Sequence, residues 1–397
     1  MKRDSRRIFS SADQIGKFSP ILLIRFANKN PEDFKALINS GVIPTEEHAD
    51  KLDAAALVPF LTSAGVTEDL GEALFMINVF STPRNRHILE DEVRATRPAR
   101  CLDFPPGLSD ADYALTVWLT RPSILEAALS RVTLKSRRTF HYFTPGNAQV
   151  AANAPAITED VLNELTNRLK GGLTNAGRTR GLRVTPFLDD PFEDWFLLRR
   201  SRLPERITFF DEDDAEKSKT VMLRVYDVVV FDRITGILKI NAPKELVELY
   251  RQAFSLLYGT TMTFFEKRDL FTLEPLHSAA ATTVSVSGTT GMSSVDLLSV
   301  GYSIEEDGAP TDFHVKRKNW YATTMGSRAP VPVDSKHIKF AIFEVCTAHR
   351  KQPRRCRVDH GNTLSFSRDD EAKAFETFLK LRGFARGMDA IISTKAA

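Results

Sequence analysis

Apolar positions along the chain change their period near its middle. Through residues 1–150 they recur mostly at helical spacing. Pro31–Ser40 has proline at its start and Gly41 just beyond its end, the usual polarity of a helix. Thr45–Ala64 continues helical, with Leu52, Leu57, Phe60 and Leu61 on one face. Asp110–Trp118 and Ser123–Val132 extend the pattern. Ser19–Phe26 reads as a short buried strand, Leu70–Phe80 fits either a helix or a strand, and Phe140–Phe143 is a further short element.

Ile157–Lys170 is a clear amphipathic helix. Thr158 is placed to cap it, Val161, Leu162, Leu165 and Leu169 form its stripe, and Gly171-Gly172 are expected to end it. From Leu173 the period shortens to two. Met222–Phe231 and Ile234–Asn241 read as a hairpin turning at Asp232–Gly236, with a helix over Pro243–Tyr258 behind it. Further strands are expected at Thr282–Ser287, Val295–Ile304, Asp312–Lys316, Ile338–Thr347 and Arg354–Val358. A closing helix is expected over Asp369–Arg382, with Gly383 past its end.

The class is therefore α+β: a helix-rich N-terminal domain followed by β-rich modules with packed helices. Thr144–Pro155, small, polar and punctuated by two prolines, reads as a linker. The expected divisions are 1–150, helix-rich; 151–275, mixed around the central hairpin; and 276–397, β-rich with the closing helix. The 397 residues suit two or three domains. Three cysteines rule out a disulfide scaffold, and no apolar run is long enough to span a membrane. The basic start MKRDSRRIFSSADQ has no apolar segment behind it, and Asp4 and Asp13 interrupt it. A cytoplasmic protein with no membrane partner is expected.

Candidate chemistry is sparse. Phosphate-loop, dinucleotide and nucleophile-elbow motifs are absent, so no catalytic residue, metal site or cofactor is assigned. The acidic run Asp211–Asp214 lacks the alternating spacing of a calcium loop and reads as a solvated turn. Cys346, His349, Cys356 and His360 offer zinc-type ligands, but basic residues crowd them, so two hairpin thiols near each other with exposed histidines is the expectation. The segment Tyr226–Pro243 resembles in form the centre of the PD-(D/E)xK nuclease core, with Asp227 or Asp232 in the metal-binding place. That resemblance implies a Glu-x-Lys on the second strand. Here Lys239 and Asn241 stand there instead, and a cation at the first position repels the metal.

Net charge is only +3, so the arrangement of charge matters more than its sum. Arginine-rich clusters recur: Arg137-Arg138, then Arg178, Arg180 and Arg183, then Arg199, Arg200 and Arg202. Lys316, Arg317 and Lys318 lie beside Trp320 and Tyr321, and Arg350, Lys351, Arg354, Arg355 and Arg357 fall within eight residues. Guanidinium grips phosphate bidentately, and neighbouring aromatics suit a single-strand groove. The expected nucleic-acid contacts are Arg178, Arg180, Arg183, Lys316, Arg317, Lys318, Arg350, Lys351, Arg354, Arg355 and Arg357. The leading reading is a non-catalytic nucleic-acid-binding or assembly subunit, with chemistry on a protein partner. Bacterial antiviral defence systems use many such accessory subunits, a general expectation that rests on no residue here. A divergent metal-dependent nuclease and a protein-interaction scaffold are the alternatives.

Overall fold

The computed structural model describes residues 8–62, 66–96, 104–105, 107–146, 155–174, 181–202, 205–210, 216–221, 224–259, 261–278, 280–306, 309–316, 337–348, 352–366 and 372–386. The chain divides into two compact units, Met1–Leu134 and Lys135–Ala397. Helices dominate the first and a large antiparallel sheet the second, an α+β architecture in which the helices come first. Among the described residues no helix is long and apolar enough to cross a membrane.

The first unit contains α1 (Ala12–Ile15), α2 (Pro20–Lys29), α3 (Pro31–Asn39), α4 (Ala54–Thr62), α5 (Glu68–Phe80), α6 (Pro83–Ala95) and α7 (Asp110–Thr120). Helix α8 (Pro122–Ser136) ends just past the division. The strand expected at Ser19–Phe26 is helix α2. Pro20 occupies a first-turn position, where a missing N–H costs nothing, and Leu23, Ile24, Phe26 and Ala27 are buried at helical spacing. The ambiguous run at 70–80 is also helix, opened by Thr67, whose side chain accepts from the Leu70 amide. The long helix expected through 45–64 breaks into a 3₁₀ turn, Glu46–Lys51, and α4. Phe26 packs edge-on to Trp118 at 4.7 Å at the centre of this core.

The second unit is built on strands β1 (Thr139–Pro145), β2 (Arg183–Phe187), β3 (Glu193–Ser201), β4 (Glu205–Phe210), β5 (Glu216–Val221), β6 (Arg224–Asp232), β7 (Leu238–Asn241), β8 (Phe265–Glu266), β9 (Met292–Glu306), β10 (Ala309–Lys316), β11 (Ile338–Thr347), β12 (Arg354–Asp359) and β13 (Thr363–Ser365). Ten of them run in the order β10-β9-β11-β12-β13-β1-β7-β6-β3-β2, with β8 paired to β1, while β4 and β5 form a separate hairpin. Asp232 shapes the β6–β7 turn by accepting from the amides of Ile234 and Thr235, and Gly236 takes φ 66° there. The strand expected at 282–287 is a 3₁₀ turn, Ala280–Val284; Thr283 turns its hydroxyl back to the Pro275 carbonyl instead of joining a ladder.

Helices cover the sheet unequally. On its front, α9 (Glu159–Thr174) and α10 (Lys244–Tyr258) bury Leu165, Leu169, Leu246 and Phe254 against Phe196, Leu198, Val229 and Ile240. Helix α9 runs through the two glycines expected to end it. A Cβ on Gly172 would stand 2.2 Å from Leu249 Cδ1, so this glycine permits close approach of α9 and α10, and Leu173 prolongs the buried stripe. Past the short helix α11 (Pro275–Ser278), α12 (Ala372–Leu381) lies on the back, its Phe378 ring 6.4 Å from that of Phe343. Of the expected linker, Thr144 and Pro145 complete β1, and residues 147–154 lie outside the described residues, as does the acidic run 211–214.

Candidate nucleic-acid interface

Strand alternation decides where each basic residue goes. Arg199 and Arg200 are neighbours in β3 and so face opposite sides. Arg200 is buried on the front, where its Nε and Nη2 donate to Asp227 at 2.6 and 3.2 Å, and Tyr250 donates to the same carboxylate at 2.7 Å. Burial, together with the Asp227 charge, pushes the Tyr250 phenol far up, so it stays a proton donor.

Arg199 faces the back. Its cross-strand partner on β2 is Arg183, and its partner on β6 is Tyr226. Two guanidiniums thus stand directly opposite one another with an aromatic ring next in the row. Arg183 is exposed, and Arg199 is half-buried with its Nε donating to the Gly181 carbonyl at 3.4 Å. Among the described residues neither makes an ion pair with a carboxylate. Arg137, between α8 and β1, has Asp227 and Tyr226 as electrostatic neighbours. Its Nε is buried without a hydrogen-bond partner, and burial pushes its guanidinium down from the ordinary value. Asp227, the carboxylate whose charge reaches Arg137, is already held by Arg200 and Tyr250, so among the described residues the arginines here outnumber the acids that pair with them.

The described part of the densest basic run in the sequence lies toward the other end of the strand order, on β12, the fourth strand from that edge. Arg355 and Arg357 are exposed on the front of β12, and Lys316 is exposed on the front of β10. Arg354 points to the back with Cys356 and Val358 and is half-buried. Acids stand beside two of these front charges. Arg357 pairs with Asp359 at 2.6 Å, Arg355 stands opposite Glu344, and nearby Lys339 pairs with Asp312 at 2.6 Å. Arg178, Arg180, Arg317, Lys318, Arg350 and Lys351 lie outside the described residues.

The nuclease-like hairpin is arranged differently from its pattern. Asp227 faces the front, whereas Lys239 faces the back, 2.7 Å from Glu193 and 3.4 Å from Asp232. Asn241 donates to the Thr139 carbonyl at 2.6 Å. The two thiols, expected near each other, are on opposite faces: Cys346 is half-buried on the front and Cys356 is buried on the back. His360 is exposed, and His349 lies outside the described residues. Among the described residues no three His, Cys, Asp or Glu side chains group as a metal site.

Sequence reasoning marked Arg183 but did not set Arg199 and Tyr226 in line with it. Only the β2–β3–β6 register does that. The available signal was the Arg199-Arg200 pair in an alternating strand, which must divide between the two faces. No protein-family model matches this chain, and no curated protein is measurably similar to it in sequence.

Proposed function

We propose that this chain is a nucleic-acid-binding component that holds the phosphate backbone at the β2–β3–β6 end of the sheet. The observation that carries the reading is the direct opposition of Arg183 and Arg199 with no carboxylate between them. Like charges directly opposite in an antiparallel pair are unfavourable. A bridging phosphate relieves that repulsion and accepts from both guanidiniums. Arg137 adds a third cation beside the row, and Tyr226 supplies an apolar wall. A binding role is favoured over nuclease chemistry because Asp227 is consumed by an ion pair and Lys239 faces away from it.

Replacing Arg183 and Arg199 together with Ala removes two phosphate contacts. The log K against log [salt] slope on single strands is then expected to flatten by roughly 1.4. Affinity should fall similarly for unrelated sequences, because backbone contacts carry no base information. A folded double variant with unchanged affinity and unchanged salt dependence retires the site.

A further inference from the structure

The front of β10, β9, β11 and β12 carries a stack of different chemistry. Phe340 on β11 stands across from Gly301 on β9, and a Cβ on Gly301 would lie 2.2 Å from the ring. The ring therefore lies down over β9. Arg357 on β12 lies over that ring, its guanidinium carbon 3.9 Å from the centroid. His314 closes one side, 5.3 Å from Phe340 at 66°, and its Nε2 is 3.1 Å from Ser299 Oγ.

One of the two hydrogen-bonding edges of Arg357 is already in use. Its Nε and Nη2 both donate to Asp359 Oδ1, at 2.9 and 2.6 Å. Asp359 has thus taken the Nε–Nη2 side of the fork, one of the two sides through which a bidentate grip on phosphate is made. The side chain is 44% exposed and also presents the outward flat face of a cation. The plane is fixed from below by Phe340 and from the edge by Asp359, so little conformational freedom is lost when a ligand settles on it. A flat cation seated on an aromatic ring suits a π surface as its ligand.

We propose that Arg357, seated on Phe340, is a stacking site for an unpaired nucleobase of single-stranded nucleic acid. This rests on the nucleic-acid reading above, but it is a separate site, on the other face and toward the other end of the strand order from Arg183 and Arg199. Bases inside a duplex have no free face to offer, so single strands are the ligand. Guanidinium planes serve as stacking partners for splayed bases.

The test compares a labelled oligothymidylate with an abasic oligomer of the same length and charge, by fluorescence anisotropy. The wild-type chain is expected to prefer the base-bearing strand by roughly tenfold, the scale of a stacked base. Arg357→Lys keeps the charge and loses the flat face; it should erase that preference and leave abasic binding unchanged. Phe340→Leu, which removes the ring beneath, should do the same, and thermal melting checks that each variant is folded. Equal wild-type affinity for the two oligomers, or a preference that survives in both folded variants, overturns the stacking site while leaving the phosphate site standing. If neither oligomer binds, the nucleic-acid reading fails and this one with it.

Discussion

Lys239 is 1% exposed, and its ammonium meets Glu193 at 2.7 Å, Asp232 at 3.4 Å and Glu376 at 3.5 Å. Glu376 belongs to α12 and also accepts from the Tyr142 hydroxyl at 2.9 Å. One buried cation thus joins two strands of the sheet to the helix on its back. With Lys239 removed, three carboxylates face one another in a site with little water. Lys239→Met is therefore expected to destabilise the fold by about 3–5 kcal/mol at neutral pH, the usual cost of breaking a buried ion pair from one side. Chemical denaturation of the variant beside the wild type measures it, and a small deficit at neutral pH contradicts the account.

Helix α10 applies the same logic at the scale of an element. Tyr250 and Tyr258 are eight residues apart on its buried face, and each donates to a sheet carboxylate that an arginine also holds: Asp227 with Arg200, and Asp194 with Arg233. Burial first, and then the adjacent carboxylate, pushes both phenols up from the ordinary tyrosine value. In the unfolded chain they ionise near pH 10, and in the folded chain they do not. Their contribution is present below about pH 10 and lost progressively above it. The wild-type protein should lose stability steeply above that pH, and Tyr250→Phe with Tyr258→Phe should flatten the alkaline slope while lowering stability at neutral pH. An alkaline slope unaltered in the double variant rules the pair out as its source. How much of this the sequence reveals depends on what fixes each element. The β6–β7 hairpin and α10 are legible because local turn chemistry and an amphipathic stripe set them. Helix α9 passing Gly171-Gly172 is not, because the reason is Leu249 on another helix. The Arg183–Arg199–Tyr226 row is equally hidden, since register between three strands is a non-local property. Arg357 is visible as a charge, yet its role changes once Asp359 and Phe340 occupy one edge and one face.

At the scale of the whole molecule, the division at Leu134 and Lys135 has a consequence for where the chain can be cut. The first unit owns a continuous core running from Ile8 to Ala128, with Ile24, Leu74, Phe80 and Leu125 fully or nearly fully buried in it. Among the described residues, none of β1 belongs to that core. A fragment ending at Ser136, which completes α8, is therefore expected to fold alone, with a helical circular dichroism spectrum and a single cooperative thermal transition. Moving the cut to residue 150 adds β1, an interior strand of the sheet between β13 and β7. Its Phe140, Tyr142 and Phe143 are all at most 3% exposed in the intact chain. Detached from the sheet, they become an exposed apolar strand with free edges, a template for aggregation. The complementary fragment suffers more. One starting at residue 137 retains β1, whereas one starting at 151 leaves β13 and β7 without the strand that joins them. The expected pattern is thus asymmetric: 1–136 and 137–397 soluble and folded, 1–150 aggregation-prone, 151–397 unfolded. Size-exclusion chromatography and thermal melts of the four fragments decide it. A well-folded 151–397 fragment would show that β1 is dispensable and that the functional boundary lies beyond it.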